Sequence, residues 1–169
     1  RYDENIVSWT PLSVTTAVPA VDVSVLYSHA SHLSLLTDGQ DLDAADYDQM
    51  AEAPQKVLVS AGCHSGYSLS HLSPSNNFAS FDDAMVNSVL SGTLTYLAPS
   101  AYGWAANHAI QLTFLLTQSY VQSLLNATTL SVGDGWVRAY DTYSDESGAG
   151  GARTSTVAYG TVLYGLPTQ

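Results

Sequence analysis

The chain has 169 residues, a length typical of one domain that buries its own core. Its 46% content of hydrophobic residues excludes general disorder, and its net charge of -11 excludes the phosphate backbone of a nucleic acid as the natural partner. The apolar runs are all shorter than the roughly 20 residues of a membrane-spanning helix, and a single cysteine cannot form an internal disulfide framework.

The first part of the chain predicts a lead-in segment, residues 1–20, ahead of an α/β domain at residues 21–169. Pro11 and Pro19 interrupt regular patterns in the lead-in, which favours an extended or loosely ordered segment. The domain opens with residues 21–27 (VDVSVLY), whose β-branched and aromatic side chains are typical of a strand.

An acidic stretch follows that strand. Asp38 and Gly39 predict a turn, and the sequence DLDAADYD then predicts a short helix over residues 43–53. Carboxylates in such a stretch are usually solvated. Because calcium prefers hard oxygen ligands, a calcium site at Asp38, Asp41 and Asp43 is the alternative interpretation, although the spacing does not match an EF-hand.

Strands and helices alternate along the rest of the domain. The predicted strands cover residues 56–61, 92–98 and 156–164, and the predicted helices cover residues 81–89, 108–125 and 130–143. Residues 56–61 (KVLVSA) are mostly apolar, which is typical of a parallel strand that is buried on both faces. The alternation predicts an α/β fold with a mostly parallel sheet and helices on both faces.

The residues that carry chemistry come directly after two of these strands. His29 follows the strand at 21–27, and Cys63 follows the strand at 56–61. Functional loops of a parallel sheet lie beyond the carboxyl ends of its strands. A histidine beside a cysteine lowers the thiol pKa and later donates a proton to the leaving amine, as a cysteine peptidase requires. We therefore predict that Cys63 is the nucleophile and His29 the base.

Backbone groups near the thiol complete this predicted site. Gly62 and Gly66 flank the cysteine and allow both a sharp turn and the close approach of a substrate. The N–H groups of Cys63 and Ala30 are candidates to bind the oxyanion of a tetrahedral intermediate.

Other histidines offer rival assignments. His32 lies three residues after His29 and is the alternative base, but His29 is favoured because it directly follows the apolar strand. His64 follows the nucleophile directly and is not expected to act as the base, because neighbouring side chains point in opposite directions. We predict that it is exposed, and contact with the oxyanion side is the alternative. Three ligands at zinc spacing are not visible, so no zinc site is predicted.

These segments resemble the gingipain family, in the caspase-like clan of cysteine peptidases. VSVLYSHASH resembles the histidine segment of that family and VLVSAGCHSGYSL its cysteine segment. GTLTYLAPSAYGWAANHAIQLTFLL, SVGDGWVRAYDTY and TVLYGLP resemble its later strand, loop and helices and its final strand, so that the likeness spans roughly residues 21–167. The clan usually has glycine after the histidine, and Ala30 stands there in this chain.

The resemblance implies a caspase-like three-layer sandwich and an endopeptidase, often one that cuts after a basic residue. His29 and Cys63 match its catalytic residues, and the chemistry requires no cofactor. The family's domain has a further N-terminal half, and from the resemblance we expect this sequence to lack it. The resemblance therefore also implies a second chain, or that half, as a partner, in addition to a protein or peptide substrate. Trp104 and Tyr102, in the loop after the third strand, are predicted to line the substrate pocket.

Two other functions stay open from the sequence. The chain's low content of charged residues and its many Ser, Thr and Tyr favour a secreted or cell-surface protein. A catalytically silent surface module that retains the fold, as a filament or sheath subunit, is therefore the second hypothesis. An esterase or transferase that uses the same His–Cys pair is the third.

Overall fold

The structure is a computed structural model that describes residues 9–51, 57–67, 85–91, 95–101, 112–126, 131–146 and 157–165. Its strands are β1 (Val23–Leu26), β2 (Ser34–Leu36), β3 (Asp41–Asp43), β4 (Val57–Ser60), β5 (Thr95–Pro99) and β6 (Thr161–Tyr164). Its α-helices are α1 (Pro11–Ala17), α2 (Ala44–Ala51), α3 (Met85–Ser91), α4 (Leu112–Leu125) and α5 (Val132–Glu146).

The described strands form a mostly parallel sheet of four strands in the order β1-β4-β5-β6. β1, β4 and β5 are parallel, with Leu26 opposite Ser60, while β6 runs antiparallel to β5, with Tyr164 opposite Tyr96. β2 and β3 form a separate antiparallel pair. The predicted α/β class with a mostly parallel sheet is therefore confirmed.

Helices cover both faces of the sheet. Every residue of β4 and β5 is buried, because alternate side chains enter two different cores. Leu58 and Tyr96 belong to the core that includes residues of α1, α2 and α3, whereas Val59 and Leu97 belong to the core that includes residues of α4 and α5. This arrangement is compatible with a three-layer sandwich.

The lead-in contains a helix, so the prediction of an extended segment there was wrong for Pro11–Ala17. Thr10 is the N-cap, its side chain accepts a hydrogen bond from the Ser13 N–H, and Pro11 occupies the first turn. Val14 is buried in the core on the α2 side. Proline therefore starts this helix instead of breaking it.

The other differences from the predicted elements are local. Residues 34–43, which run into the acidic stretch, form the short β2–β3 pair ahead of the predicted helix, and Gly39 connects the two strands at a φ of 75°. The last strand is limited to β6, because residues 157–160 form a helical turn. The first part of the predicted helix at 81–89 lies outside the described residues, which resume at Met85.

No helix in the described ranges combines the length and the apolar character that crossing a membrane requires.

Candidate functional site

The loops that follow β1 and β4 lie side by side at the carboxyl edge of the sheet. The Ala61 N–H donates to the Leu26 carbonyl at 2.9 Å, which extends the parallel pairing to the ends of both strands. Beyond that point Gly62 lies directly against Ala30. A Cβ atom at residue 62 would overlap the Ala30 Cβ and lie 3.0 Å from the Ser28 carbonyl oxygen. The segments that carry His29 and Cys63 are thus in contact through a glycine.

The histidine loop, residues 27–33, is fixed by β2, which follows it. The Leu36 N–H donates to the His29 carbonyl at 2.8 Å, and the Ser31 N–H donates to the Ser34 carbonyl at 2.9 Å. Ala30 lies between these two bonds, opposite Leu35. Its own N–H and C=O therefore point away from β2. Within the described part of the chain, the Ala30 N–H donates to no acceptor.

The cysteine loop, residues 61–67, forms a tight turn. The Ser65 hydroxyl donates to the Gly62 carbonyl at 2.8 Å, and the Ser65 N–H points to the same oxygen at 3.4 Å. His64, at the top of this turn, has a φ of 56°, in the left-handed region that favours glycine. The Cys63 side chain is half-buried. The turn therefore holds Cys63 next to Gly62, which contacts the histidine loop.

The far side of the turn is held by the end of β5. The Gly66 N–H donates to the Pro99 carbonyl at 2.8 Å, and the His64 N–H donates to the Ala101 carbonyl at 2.9 Å. Gly66 is required here, because a Cβ atom would lie 2.7 Å from the Ala98 carbonyl oxygen. The flanking glycines that the sequence singled out thus permit close backbone contacts on both sides of the thiol.

Two tyrosine hydroxyls hold the same turn from below. Tyr96 donates to the Ser65 carbonyl at 3.2 Å, and Tyr164 donates to the Gly66 carbonyl at 2.5 Å. Sequence reasoning missed both residues. The signal was weak, because a tyrosine within an apolar strand is usually a packing residue.

One histidine of each loop contacts the same aromatic ring. Tyr67 makes edge contacts with His32 and with His64, at ring-centroid distances of 6.0 and 6.3 Å. His64 is half-buried, so the prediction that it is exposed was wrong, and the ring contact with Tyr67 explains its position. Partial burial, and secondarily the nearby His64, lower the pKa of His32.

The two candidate bases differ in their surroundings. The His29 side chain is exposed, whereas the His32 side chain is half-buried between the two loops. The structure brings both histidine-loop residues to the same edge as Cys63, and the choice between them stays a prediction.

The acidic stretch has an observed structural role. Asp43 is at the start of α2, where its Oδ1 atom accepts hydrogen bonds from the N–H groups of Ala45 and Asp46. Asp46 Oδ2 accepts in return from the Asp43 N–H, and Asp41 Oδ2 accepts from the Ser34 hydroxyl. In the ranges described, no group of three or more His, Cys, Asp or Glu could hold a metal ion. The calcium site at Asp38, Asp41 and Asp43 stays a prediction.

The predicted pocket residues Tyr102 and Trp104 lie outside the described residues. A polar groove of about 410 Å³ lies between α4 and α5, away from either loop. The groove is lined by Ser119, Gln122, Ser123, Asn126, Arg138, Asp141 and Thr142. It contains no residue of the cysteine or histidine loop, so the candidate site is defined by chemistry rather than by this cavity.

Comparisons with known proteins found no relative: no family model, no curated protein and no solved structure matches the chain. The functional assignment therefore depends on the residues and their geometry.

Proposed function

We propose that the chain is the catalytic part of a gingipain-like cysteine endopeptidase with a caspase-like fold, secreted or at the cell surface. Cys63 is its nucleophile and His29 its base. The observation that carries the proposal is the contact of Gly62 with Ala30, which joins the cysteine and histidine loops at the carboxyl ends of neighbouring parallel strands.

The proposed reaction has two steps. The Cys63 thiolate adds to the scissile carbonyl carbon, and collapse of the tetrahedral intermediate breaks the carbon–nitrogen bond while the His29 imidazolium gives its proton to the leaving amine. His29 then takes a proton from water, and the resulting hydroxide adds to the acyl carbon. The carbon–sulfur bond breaks, which regenerates the Cys63 thiolate and releases the carboxylic acid product. Exposure of the His29 side chain gives water access for this second step.

The backbone supports an oxyanion site beside the thiol. The amide groups of His64, Gly66 and Tyr67 donate to carbonyls of the protein. The Ala30 N–H points away from β2 and donates to no acceptor among the described residues. Together with the N–H of Cys63, it is the group we assign to the oxyanion.

The surroundings of the histidines favour His29 over His32 as the base. A cysteine peptidase is activated when the histidine is protonated and the thiol ionised, so the histidine must hold a positive charge beside the thiolate. The lowered pKa of His32 disfavours its charged form. His32 is therefore the weaker partner for an ion pair with Cys63.

Activity probes test the proposal directly. Peptidyl acyloxymethyl ketones with Arg, Lys or a neutral residue next to the reactive group would be added to the native protein, and intact mass spectrometry would identify the adduct. We expect modification of Cys63, with a preference for Arg or Lys that matches the net charge of -11. His29→Ala should slow the labelling by about 100-fold or more, and His32→Gln by less than about tenfold.

The control for this experiment is the state of the thiol. A small disulfide reagent would first show that Cys63 is reduced and accessible in every variant. A reactive thiol that no peptidyl probe labels contradicts the peptidase. Loss of labelling in His32→Gln, with normal labelling in His29→Ala, would transfer the role of base to His32.

A surface module that retains the fold is the second candidate, and the open edge of the sheet favours it. β1 has no described partner strand on its outer side, and the exposed side chains there include Val25 on the strand and Tyr27 just after it, at 42% and 51% exposure. Such an edge commonly pairs with another chain. A module of this kind needs no reactive thiol, so slow modification of Cys63 by every probe would support it.

A further inference from the structure

The backbone of the cysteine turn is strained at one residue. His64 has a φ of 56°, and it is the described non-glycine residue that adopts this left-handed conformation. A residue with a Cβ atom avoids that region, and it stays there only when its surroundings hold it. The neighbouring Cys63 takes its direction from the same turn. Whatever holds His64 therefore also sets the position of the thiol.

Both ends of the strained segment are fixed by hydrogen bonds. The His64 N–H donates to the Ala101 carbonyl, and the His64 carbonyl accepts from the Tyr67 N–H at 2.9 Å. The turn from His64 to Tyr67 also contains the carbonyls of Ser65 and Gly66. Each of the two carbonyls accepts a tyrosine hydroxyl.

The two tyrosines form a matched pair. Tyr96 on β5 and Tyr164 on β6 are directly opposite each other in the antiparallel pairing, so their side chains point to the same face of the sheet. They reach consecutive carbonyls of the cysteine turn. Tyr96 is fully buried, and burial raises its pKa to about 12, so its hydroxyl keeps the donated proton at physiological pH.

We propose that Tyr96 and Tyr164 are positioning residues for Cys63. Their hydroxyls fix the Ser65 and Gly66 peptide groups, keep His64 in its left-handed conformation and so aim the thiol at the substrate. The inference rests on the proposed function only in taking Cys63 as the nucleophile.

The test uses Tyr164→Phe, which removes one hydroxyl at the partly buried end of the pair. The rate of Cys63 modification would be measured with a peptidyl probe, which needs an aimed thiol, and with iodoacetamide, which mainly needs an accessible one. We expect the ratio of the first rate to the second to fall by about tenfold. Tyr120→Phe is the matched control, because its buried hydroxyl has no hydrogen-bond partner among the described residues. It should leave the ratio unchanged.

A second substitution separates positioning from general stability. Asparagine tolerates the left-handed region better than histidine does. We therefore expect Tyr164→Phe to lower the ratio of the two rates much less in a His64→Asn background than in the wild type. The comparison is between the double variant and His64→Asn alone. A structural defect caused by the missing hydroxyl would not be repaired by a change at residue 64. Absence of recovery, together with an equal fall in both rates, overturns the proposal.

Hydrogen exchange keeps this test independent of peptidase activity. If the wild-type thiol is free but reacts with no peptidyl probe, the proposed function fails while the positioning role is still measurable. The amides of His64 and Gly66 should then exchange about tenfold faster in Tyr164→Phe than in Tyr120→Phe. Equal exchange in the two variants contradicts the role of the tyrosines.

Discussion

At the scale of single residues, the candidate site depends on a contact with no room for a methyl group. Gly62 lies against Ala30 and the Ser28 carbonyl, so a side chain at residue 62 must displace the histidine loop. The glycine is needed for this close approach between two loops. That explains why a small residue immediately precedes Cys63.

Substitution of this glycine gives a direct prediction. Gly62→Ala should destabilise the fold by about 1–3 kcal/mol, because it overpacks the contact, and should slow labelling of Cys63 by peptidyl probes. Chemical denaturation and labelling rates would measure the two effects.

The compensating change is available in the same contact. Ala30→Gly removes the Cβ atom that the new methyl group meets, so the variant with both changes should recover part of the stability and part of the labelling rate. Gly160→Ala is the control, because its nearest contact is the Ala101 Cβ at 3.3 Å. A double variant no better than Gly62→Ala alone would show that Ala30 does not limit the contact.

At the scale of elements, the acidic stretch starts a helix. Asp43 and Asp46 exchange hydrogen bonds with each other's backbone at the N-terminus of α2. Asp43→Ala should therefore cost about 1 kcal/mol, or a Tm decrease of roughly 2–4 °C. Asp48→Ala, which removes the same charge from an exposed position in α2, should have little effect.

Calcium distinguishes the two interpretations of these carboxylates. Thermal melts with calcium and with a chelator would be compared in the wild type and in Asp43→Ala. If Asp43 acts only as a helix cap, Asp43→Ala should lower the Tm by the same amount with calcium and with the chelator. A wild-type Tm that rises with calcium, with no such rise in Asp43→Ala, would instead establish the calcium site.

The sequence predicts those elements whose signal is local. Residues 21–27 and 56–61 are apolar runs that end in polar loops, so β1, β4 and the adjacent placement of His29 and Cys63 follow from them. The sequence does not predict α1, because Pro11 is typical both of a helix break and of a helix start, and here it starts the helix. The β2–β3 pair has three residues in each strand, too few for a periodic pattern. The sequence favours His29 over His32 as the base because His29 directly follows the apolar strand, and that choice stays a prediction.

The tyrosine pair shows what local patterns miss. Tyr96 and Tyr164 look like ordinary residues of buried strands, and their hydrogen bonds reach a loop that is distant in sequence. Only the pairing of β5 with β6 brings them under the cysteine turn. A sequence pattern within one segment therefore cannot predict that contact.

At the scale of the whole molecule, the edge of the described sheet at β1 has a consequence for assembly. β1 is an edge strand of the described sheet, and Val25 is exposed on it. If the edge pairs with a companion chain, as the proposed peptidase requires, the native mass should exceed that of one chain. Val25→Lys should then reduce it, because a charge on an edge strand opposes pairing.

The matched control for this prediction lies on helix α5 instead of on the strand edge. Val137→Lys adds the same charge at a valine of α5 that is more exposed, at 60%. Native mass spectrometry should show no change for that variant. A wild-type mass equal to one chain would remove the companion from the proposal and would leave the catalytic residues untouched.

The bond from Tyr164 to Gly66 joins residues that are 98 positions apart. On the ribosome, the cysteine turn is therefore synthesised long before the hydroxyl that completes its support. Until β6 has been made and has paired with β5, the thiol belongs to a turn whose left-handed residue lacks one of its restraints. If Cys63 is the nucleophile, as proposed, the order of synthesis delays its full alignment until β6 is in place, and the unfinished chain is then protected from its own chemistry.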